Sequence, residues 1–245
     1  MTDLTNMTVL LTGAAGGIGR SMAEIFVAAG ARLALADIEE EDTKTLAENL
    51  GPEHRAYRID LSDPEDIKQT IPRIGAEMGI DIVINNAGLG MVFPAVQMDV
   101  DDWDKTFAIN LRAPWLVAAT AFPFLKRSGR GRIINMASQA GIVAIEEHAA
   151  YGASKAGLIN LTKVQAIEWA RFGITANSIS PTVVETPMAL VGWSGKKGER
   201  AKSDIPVGRF AKPAEISHAA LYLASHEAAM VTGTNLLVDG GYCAK

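Results

Sequence analysis

The sequence predicts an α/β fold built on one doubly wound, mostly parallel sheet, and three observations carry that reading. Short β-branched and aliphatic runs alternate with helical stretches along the whole chain. A glycine-rich segment links the first such run to the first helical stretch. No composition break, low-complexity tract or internal repeat divides the 245 residues, so one domain over residues 1–245 is expected.

Seven strands are expected, at 8–11, 32–36, 54–59, 81–84, 132–136, 174–179 and 235–238. Helical periodicity fills the gaps at 18–29, 40–50, 64–78, 101–127, 151–171 and 213–224. One segment departs from the pattern: residues 188–204 (MALVGWSGKKGERAKSD) are glycine-containing and cationic, with Trp193 in the middle. A long irregular stretch in a compact domain is usually functional or mobile. Between the sixth strand and the last helix, it is a candidate lid over a pocket at the strand ends.

Composition narrows the partners. Apolar residues make up 48% and charged residues 21% of the chain, an ordinary globular balance. A net charge of −5 argues against nucleic acid or an anionic membrane, both of which reward a basic face, and leaves small molecules as the expected ligands. The single cysteine, Cys243, has no internal disulfide partner, and the four histidines are scattered, so no metal site is expected. The first six residues include an acid and no cationic region, and no uninterrupted apolar run reaches membrane-spanning length. A soluble cytoplasmic protein is expected.

The segment Thr12-Gly13-Ala14-Ala15-Gly16-Gly17-Ile18-Gly19 follows the first strand and opens the first helix. Glycines there permit a tight turn and close backbone approach, and the helix start offers N–H groups and dipole to a pyrophosphate. Gly13, Gly17, Ile18 and Gly19 are therefore candidate dinucleotide contacts. Asp37 ends the second strand about twenty residues on, where an acid accepts hydrogen bonds from ribose hydroxyls and repels the extra phosphate of NADP. With no arginine at positions 37 or 38, and Glu39, Glu40 and Glu41 following, NAD is favoured over NADP. Asp60 and Leu61, after the third strand, could meet the adenine edge, although Asp60 also suits an ordinary turn. Asn86, Ala87 and Gly88 end the fourth strand where the loop must pass close to a ligand.

Ser138 closes the fifth strand, and Tyr151 with Lys155 opens the long helix after it. Four residues is about one helical turn, so phenol and ammonium share a face. Ligands of a doubly wound sheet collect at the carboxyl ends of its strands, where these three groups should converge. A nearby cation is expected to lower the pKa of Tyr151 and make it a usable base, with Ser138 holding the substrate oxygen.

T-G-x-x-x-G-I-G (Thr12 to Gly19), N-N-A-G (Asn85 to Gly88), Asn110, Ser138, Y-x-x-x-K (Tyr151 and Lys155) and V-D-G-G (Val238 to Gly241) occur in an order and spacing that resemble the short-chain dehydrogenase/reductase family. The resemblance covers essentially the whole chain. It implies a Rossmann-type domain, a catalytic tetrad of Asn110, Ser138, Tyr151 and Lys155, and a homotetramer. Tyr151 would exchange the proton, Ser138 orient the carbonyl or alcohol, and Lys155 hold the nicotinamide ribose. Pro114, four residues after Asn110, has no N–H to bond the carbonyl of Asn110, which is left for a water linked to Lys155. Pro181, Val184 and Thr186 are implied to line the nicotinamide, although Thr182 replaces the family's usual glycine after Pro181.

Asn110-Leu111-Arg112-Ala113, Ser138-Gln139, His148 and Trp193 look like the xylulose reductase branch, whose members interconvert polyols and ketoses. Gln139 and His148 can hydrogen-bond hydroxyl groups, and Trp193 can cover the apolar face of a small sugar; a turn glutamine, a surface histidine and a lid anchor are the alternatives. The expected activity is NAD-dependent oxidation of a secondary alcohol of a small polyol. A 3-oxoacyl thioester reductase and a dinucleotide-binding redox sensor are the competing readings.

Overall fold

The structure, a computed structural model, describes residues 2–244, with the side chains of 188, 190 and 191 outside the described residues. In chain order the elements are β1 (Thr8–Thr12), α1 (Gly17–Ala28), β2 (Arg32–Asp37), α2 (Glu40–Leu50), β3 (Arg55–Arg58), α3 (Pro64–Met78), β4 (Ile82–Asn85), α4 (Val100–Phe107), α5 (Ala113–Ser128), β5 (Arg132–Met136), α6 (Ala149–Trp169), β6 (Thr175–Pro181), α7 (Pro187–Gly192), α8 (Gly195–Ser203), α9 (Pro213–Ala224) and β7 (Asn235–Val238). The seven strands form one all-parallel sheet in the order β3-β2-β1-β4-β5-β6-β7. Strand order reverses between β1 and β4, the switch point where such sheets open a crevice. The turns after β1 and β4 flank that crevice.

Both faces of the sheet are covered. On one face, Phe26 and Met22 of α1, Leu46 of α2 and Ile216 of α9 pack on Val9, Leu11, Leu33 and Leu35. On the other, Ile67, Ile71 and Ile74 of α3, Val117 and Leu125 of α5 and Ala166 of α6 pack on Leu10, Val83 and Ile133. Burying each such aliphatic side chain contributes roughly 1.5–3 kcal/mol. A polar chain joins this second face to α6: Asn85 Nδ2 donates to Asn135 Oδ1 at 2.8 Å, and Asn135 Nδ2 donates to Thr162 Oγ1 at 2.9 Å and Gln165 Oε1 at 3.2 Å. Fully buried side-chain networks of this kind fix one arrangement, and this one sets the height of α6 against the strand ends.

Two expectations need correction. The helix expected over 101–127 is interrupted by a π-turn, Ala108–Arg112, in which the Ala113 N–H bonds the carbonyl of Ala108. Pro114 forces this change of register, since it cannot donate to Asn110. The 188–204 segment is not irregular. Thr186 caps α7 by accepting from the Ala189 N–H at 3.2 Å, Pro187 occupies the first turn, and α8 follows. A threonine cap followed by proline is a helix-start signal that glycine content obscured. The helical stretch Val100–Ser128 has the length and composition of a membrane span, yet Leu116, Val117, Ala118, Ala121 and Leu125 are buried against the sheet, as in a core helix.

Candidate active site

The turn after β1 is held from three directions. Gly13 adopts φ +66°, and a Cβ there would lie 2.7 Å from Ala87 Cα; one on Gly19 would lie 2.2 Å from the Gly13 carbonyl oxygen. Neither position accepts a side chain. Asn86 Nδ2 donates to the carbonyls of Thr12 and Gly13 at 3.1 and 2.9 Å, and Thr12 Oγ1 accepts from the N–H groups of Asn86 and Ala87. Asn86 thus acts through its side chain on the turn, and Thr12, whose hydroxyl joins the β1 and β4 ends, is a positioning residue that sequence reasoning passed over. α1 starts at Gly17 behind Gly16, with no side-chain cap and no acid in its first turn. Uncapped N–H groups beside a glycine cradle suit a pyrophosphate.

Asp37 completes the cofactor end. Its Oδ2 accepts from the Ala15 N–H in the glycine turn at 2.9 Å and its Oδ1 from the Glu39 N–H at 3.2 Å. A carboxylate has about four lone-pair sites, so acceptor capacity remains for ribose hydroxyls. Thr186 lies against the same turn, since a Cβ on Gly17 would meet its Cγ2 at 2.9 Å. Ile18 is partly buried against the core, Val184 is buried in it and pairs with Ala211, and Pro181 ends β6. Asp60 is occupied by an Asx-type turn, accepting from Ser62 N–H and Oγ at 2.8 and 2.7 Å, which holds its carboxyl below the usual range. Leu61 beside it packs partly into the core.

The candidate catalytic groups lie close together at the start of α6. Lys155 is buried and its ammonium donates to the Met136 carbonyl at 2.7 Å, 5.7 Å from the centre of the Tyr151 ring. A Cβ on Gly88 would lie 3.3 Å from Lys155 Nζ and 3.5 Å from Asn110 Oδ1, so the loop after β4 passes directly over both. The Asn110 carboxamide is committed to that loop, exchanging 2.8 Å bonds with the N–H and carbonyl of Leu89 and donating to Ser154 Oγ at 3.2 Å. Ser154 Oγ in turn bonds the Tyr151 carbonyl at 2.8 Å. Asn110 therefore positions the start of α6 through its side chain and leaves its main-chain carbonyl opposite Pro114.

The electrostatics differ from expectation. Burial raises the Tyr151 pKa above its ordinary value of 10, and a hydrogen bond with Ser138 offsets this only in part. Burial also pulls Lys155 down to about 8. The ammonium is held by the Met136 carbonyl, and for both groups desolvation outweighs the attraction assumed from spacing.

The substrate candidates divide. Ser138 Oγ accepts from the Ala140 N–H at 3.2 Å, and Gln139 is buried in the tight turn that follows. The His148 ring meets Tyr151 edge to face at 5.9 Å, with Nδ1 donating to the Glu146 carbonyl at 2.6 Å; neighbouring Glu147 carries φ +67°. Trp193 instead packs on Phe210, with Lys197 over its ring at 4.9 Å. These contacts hold the Trp193 ring against Phe210 and α8.

Residues 13–243 match the family model described as enoyl-(acyl carrier protein) reductase. The chain is 42% identical to the D-threitol dehydrogenase of Mycolicibacterium smegmatis, across 99% of this chain and 95% of that protein. It is 40% identical to an NAD-dependent glycerol dehydrogenase of Listeria innocua, across 99% and 96%. A Beutenbergia cavernae crystal structure with NADP at low occupancy superposes with a TM-score of 0.95 at 31% identity, covering 99% of each chain.

Proposed function

The chain belongs to the short-chain dehydrogenase/reductase family, NAD(P)-dependent oxidoreductases acting on alcohols, and from that premise we propose that it oxidises a secondary alcohol of a small polyol to a ketose with NAD. The observation that carries the reading is the meeting of Ser138, Tyr151 and buried Lys155 beside a glycine turn tied to Asp37. The threitol and glycerol dehydrogenase relatives support a polyol. Asp37, with free acceptor sites at the end of β2 and no arginine beside it, supports NAD.

Bound NAD supplies the hydride acceptor. The chain's own residues do the rest. Gly13 and Gly19 keep the turn clear of side chains, and the start of α1 presents N–H groups. Ser138 orients the reacting hydroxyl, and Tyr151 phenolate takes its proton. Lys155, held on the Met136 carbonyl one helical turn from Tyr151, carries the proton onward toward a water on the Asn110 carbonyl. The reverse sequence reduces the ketose.

Self-association into a homotetramer is supported by an apolar groove of about 790 Å³ between the π-turn, α5 and α6, lined by Phe107, Leu111, Trp115, Leu161 and Val164. One other reading, reduction of a 3-oxoacyl thioester, is supported by a 3-oxoacyl-[acyl-carrier-protein] reductase of Thermotoga maritima that is 36% identical across 97% of this chain. A panel of three- to six-carbon polyols with NAD and with NADP, set against an acetoacetyl thioester with each reduced cofactor, separates the two. NAD reduction on at least one polyol is expected; thioester reduction faster than any sugar reverses the order.

A further inference from the structure

β3 closes one end of the sheet, with β2 on one side of it and no strand on the other. Its free edge is not bare surface. Arg55–Arg58 form the floor of an open groove of about 890 Å³, walled by Lys44 and Glu48 of α2 and by Arg73 and Glu77 of α3. β2, β1 and β4 separate this groove from β5 and the candidate catalytic groups. None of the steps derived above uses it.

The floor presents backbone without a partner strand. β3 pairs with β2 in parallel from Arg55 to Arg58, and the Ile59 N–H bonds the Asp37 carbonyl at 2.9 Å. Alternate residues of a parallel strand address the same neighbour, so Arg55, Tyr57 and Ile59 turn their N–H and carbonyl groups to β2. Ala56 and Arg58 turn theirs to the groove. The side chains around them are unevenly matched. Glu77 is taken by Arg55 at 3.1 Å and by the Tyr57 hydroxyl at 2.9 Å, and Glu40 by Lys44 at 3.0 Å. Glu48 is left without an ion pair among the described residues. On the other side of the balance, Arg58 reaches only Asp66, at 3.7 Å, and Arg73 lies over the Tyr57 ring at 5.6 Å with no carboxylate partner among the described residues.

We propose that the β3 edge is a docking site for an extended acidic segment of another protein, which adds to the sheet as a further strand. Hydrogen bonds to the outward groups of Ala56 and Arg58 hold the main chain, and acidic side chains facing Arg58 and Arg73 give the selection. Charge decides the occupant. A second copy would bring Arg55, Arg58 and Arg73 to a contact already lined by them, and like charges across paired strands or an interface are destabilising. A basic segment meets the same repulsion. The chain as a whole carries −5, so an acidic segment is drawn to this edge and repelled from most of the remaining surface. Charged residues commonly guard an edge strand against its own kind. Here the guarding arginines admit a strand of the opposite sign. Four residues of β3 span only about 13 Å, the scale of a transient contact rather than a permanent one.

The test titrates the intact protein into labelled short peptides and reads fluorescence polarisation. One peptide alternates glutamate and valine, a second has lysine for glutamate, and a third is the acidic peptide with its main-chain nitrogens methylated, which keeps the charge and removes every ladder donor. The acidic peptide is expected to bind and the lysine peptide not. Methylation should weaken binding about tenfold or more. Arg73→Glu should weaken the acidic peptide about tenfold and leave the mass of the assembly in sedimentation unchanged. Equal binding of the methylated peptide would show an anion site without strand addition and overturn the proposal. So would binding of the lysine peptide, no binding of the acidic one, or an affinity untouched by Arg73→Glu. A changed assembly mass in Arg73→Glu would assign the groove to a second copy and overturn it as well.

Discussion

Asp37 and the turn it anchors are held by main-chain hydrogen bonds and by glycines with no room for a Cβ, whereas beyond the carboxyl ends of β5 and β6 Gln139 and Thr182 carry side-chain oxygens with no partner among the described residues and Trp193 rests on Phe210. One end is built before any ligand arrives, and the other leaves its polar groups waiting. Cofactor recognition is a demand shared by every reaction on this scaffold and is met by backbone. Choice of alcohol, on the proposed reading, falls to side chains. The proposed catalytic groups stand between the two, with Lys155 tied to the β5 end and Tyr151 to Ser138.

The largest break in this comparison should come from Tyr151→Phe. Removing the proton acceptor is expected to lower kcat roughly 10²–10⁴-fold while NAD affinity, followed by fluorescence titration, stays near wild type. Equal losses in both would show that the two ends are not separable.

Next in size is a linkage effect at Lys155. Its folded pKa, about 8, lies below the ordinary 10.5, so between those values the unfolded chain binds more protons and stability rises with pH. Relative to Lys155→Met, wild-type unfolding free energy should climb by the order of 3 kcal/mol from about pH 8 to about 10.5, measured by urea unfolding at both ends. A flat difference would mean that Lys155 is not desolvated.

Asp37→Ser tests the cofactor end. Loss of charge-assisted hydrogen bonds should cost roughly tenfold to a hundredfold in kcat/KM for NAD, and NADP should improve, with the polyol KM unmoved. The smallest change is expected from Trp193→Ala. Its contacts with Phe210 and Lys197 contribute about 1 kcal/mol or less to stability, and calorimetry should show only a small drop in Tm. A collapse of activity would move Trp193 from lid anchor into the site.

Sequence made legible what depends on short spacing. The glycine turn and Asp37 are recognisable at a strand end, and Tyr151 with Lys155 by their spacing of one helical turn; the structure puts Asp37 on the glycine turn and Lys155 Nζ 5.7 Å from the Tyr151 ring centre. In residues 188–204 the glycine content hides the Thr186-Pro187 cap that starts α7. Pro114 is visible in the sequence but the π-turn is not, since the response of a helix to a lost donor depends on what packs around it. The pKa direction of Tyr151 was opposite to expectation for a similar reason: burial is a property of the packed state, and spacing carries only the charge.

Hydride transfer from a polyol to the nicotinamide is tested most directly by isotope. A four-carbon polyol deuterated at the reacting carbon, turned over with NAD and the intact protein, should yield reduced nicotinamide heavier by one deuterium by mass spectrometry. The same experiment with Tyr151→Phe should yield almost none. Reduced nicotinamide without the label, or labelled product at an undiminished rate from Tyr151→Phe, would contradict the account.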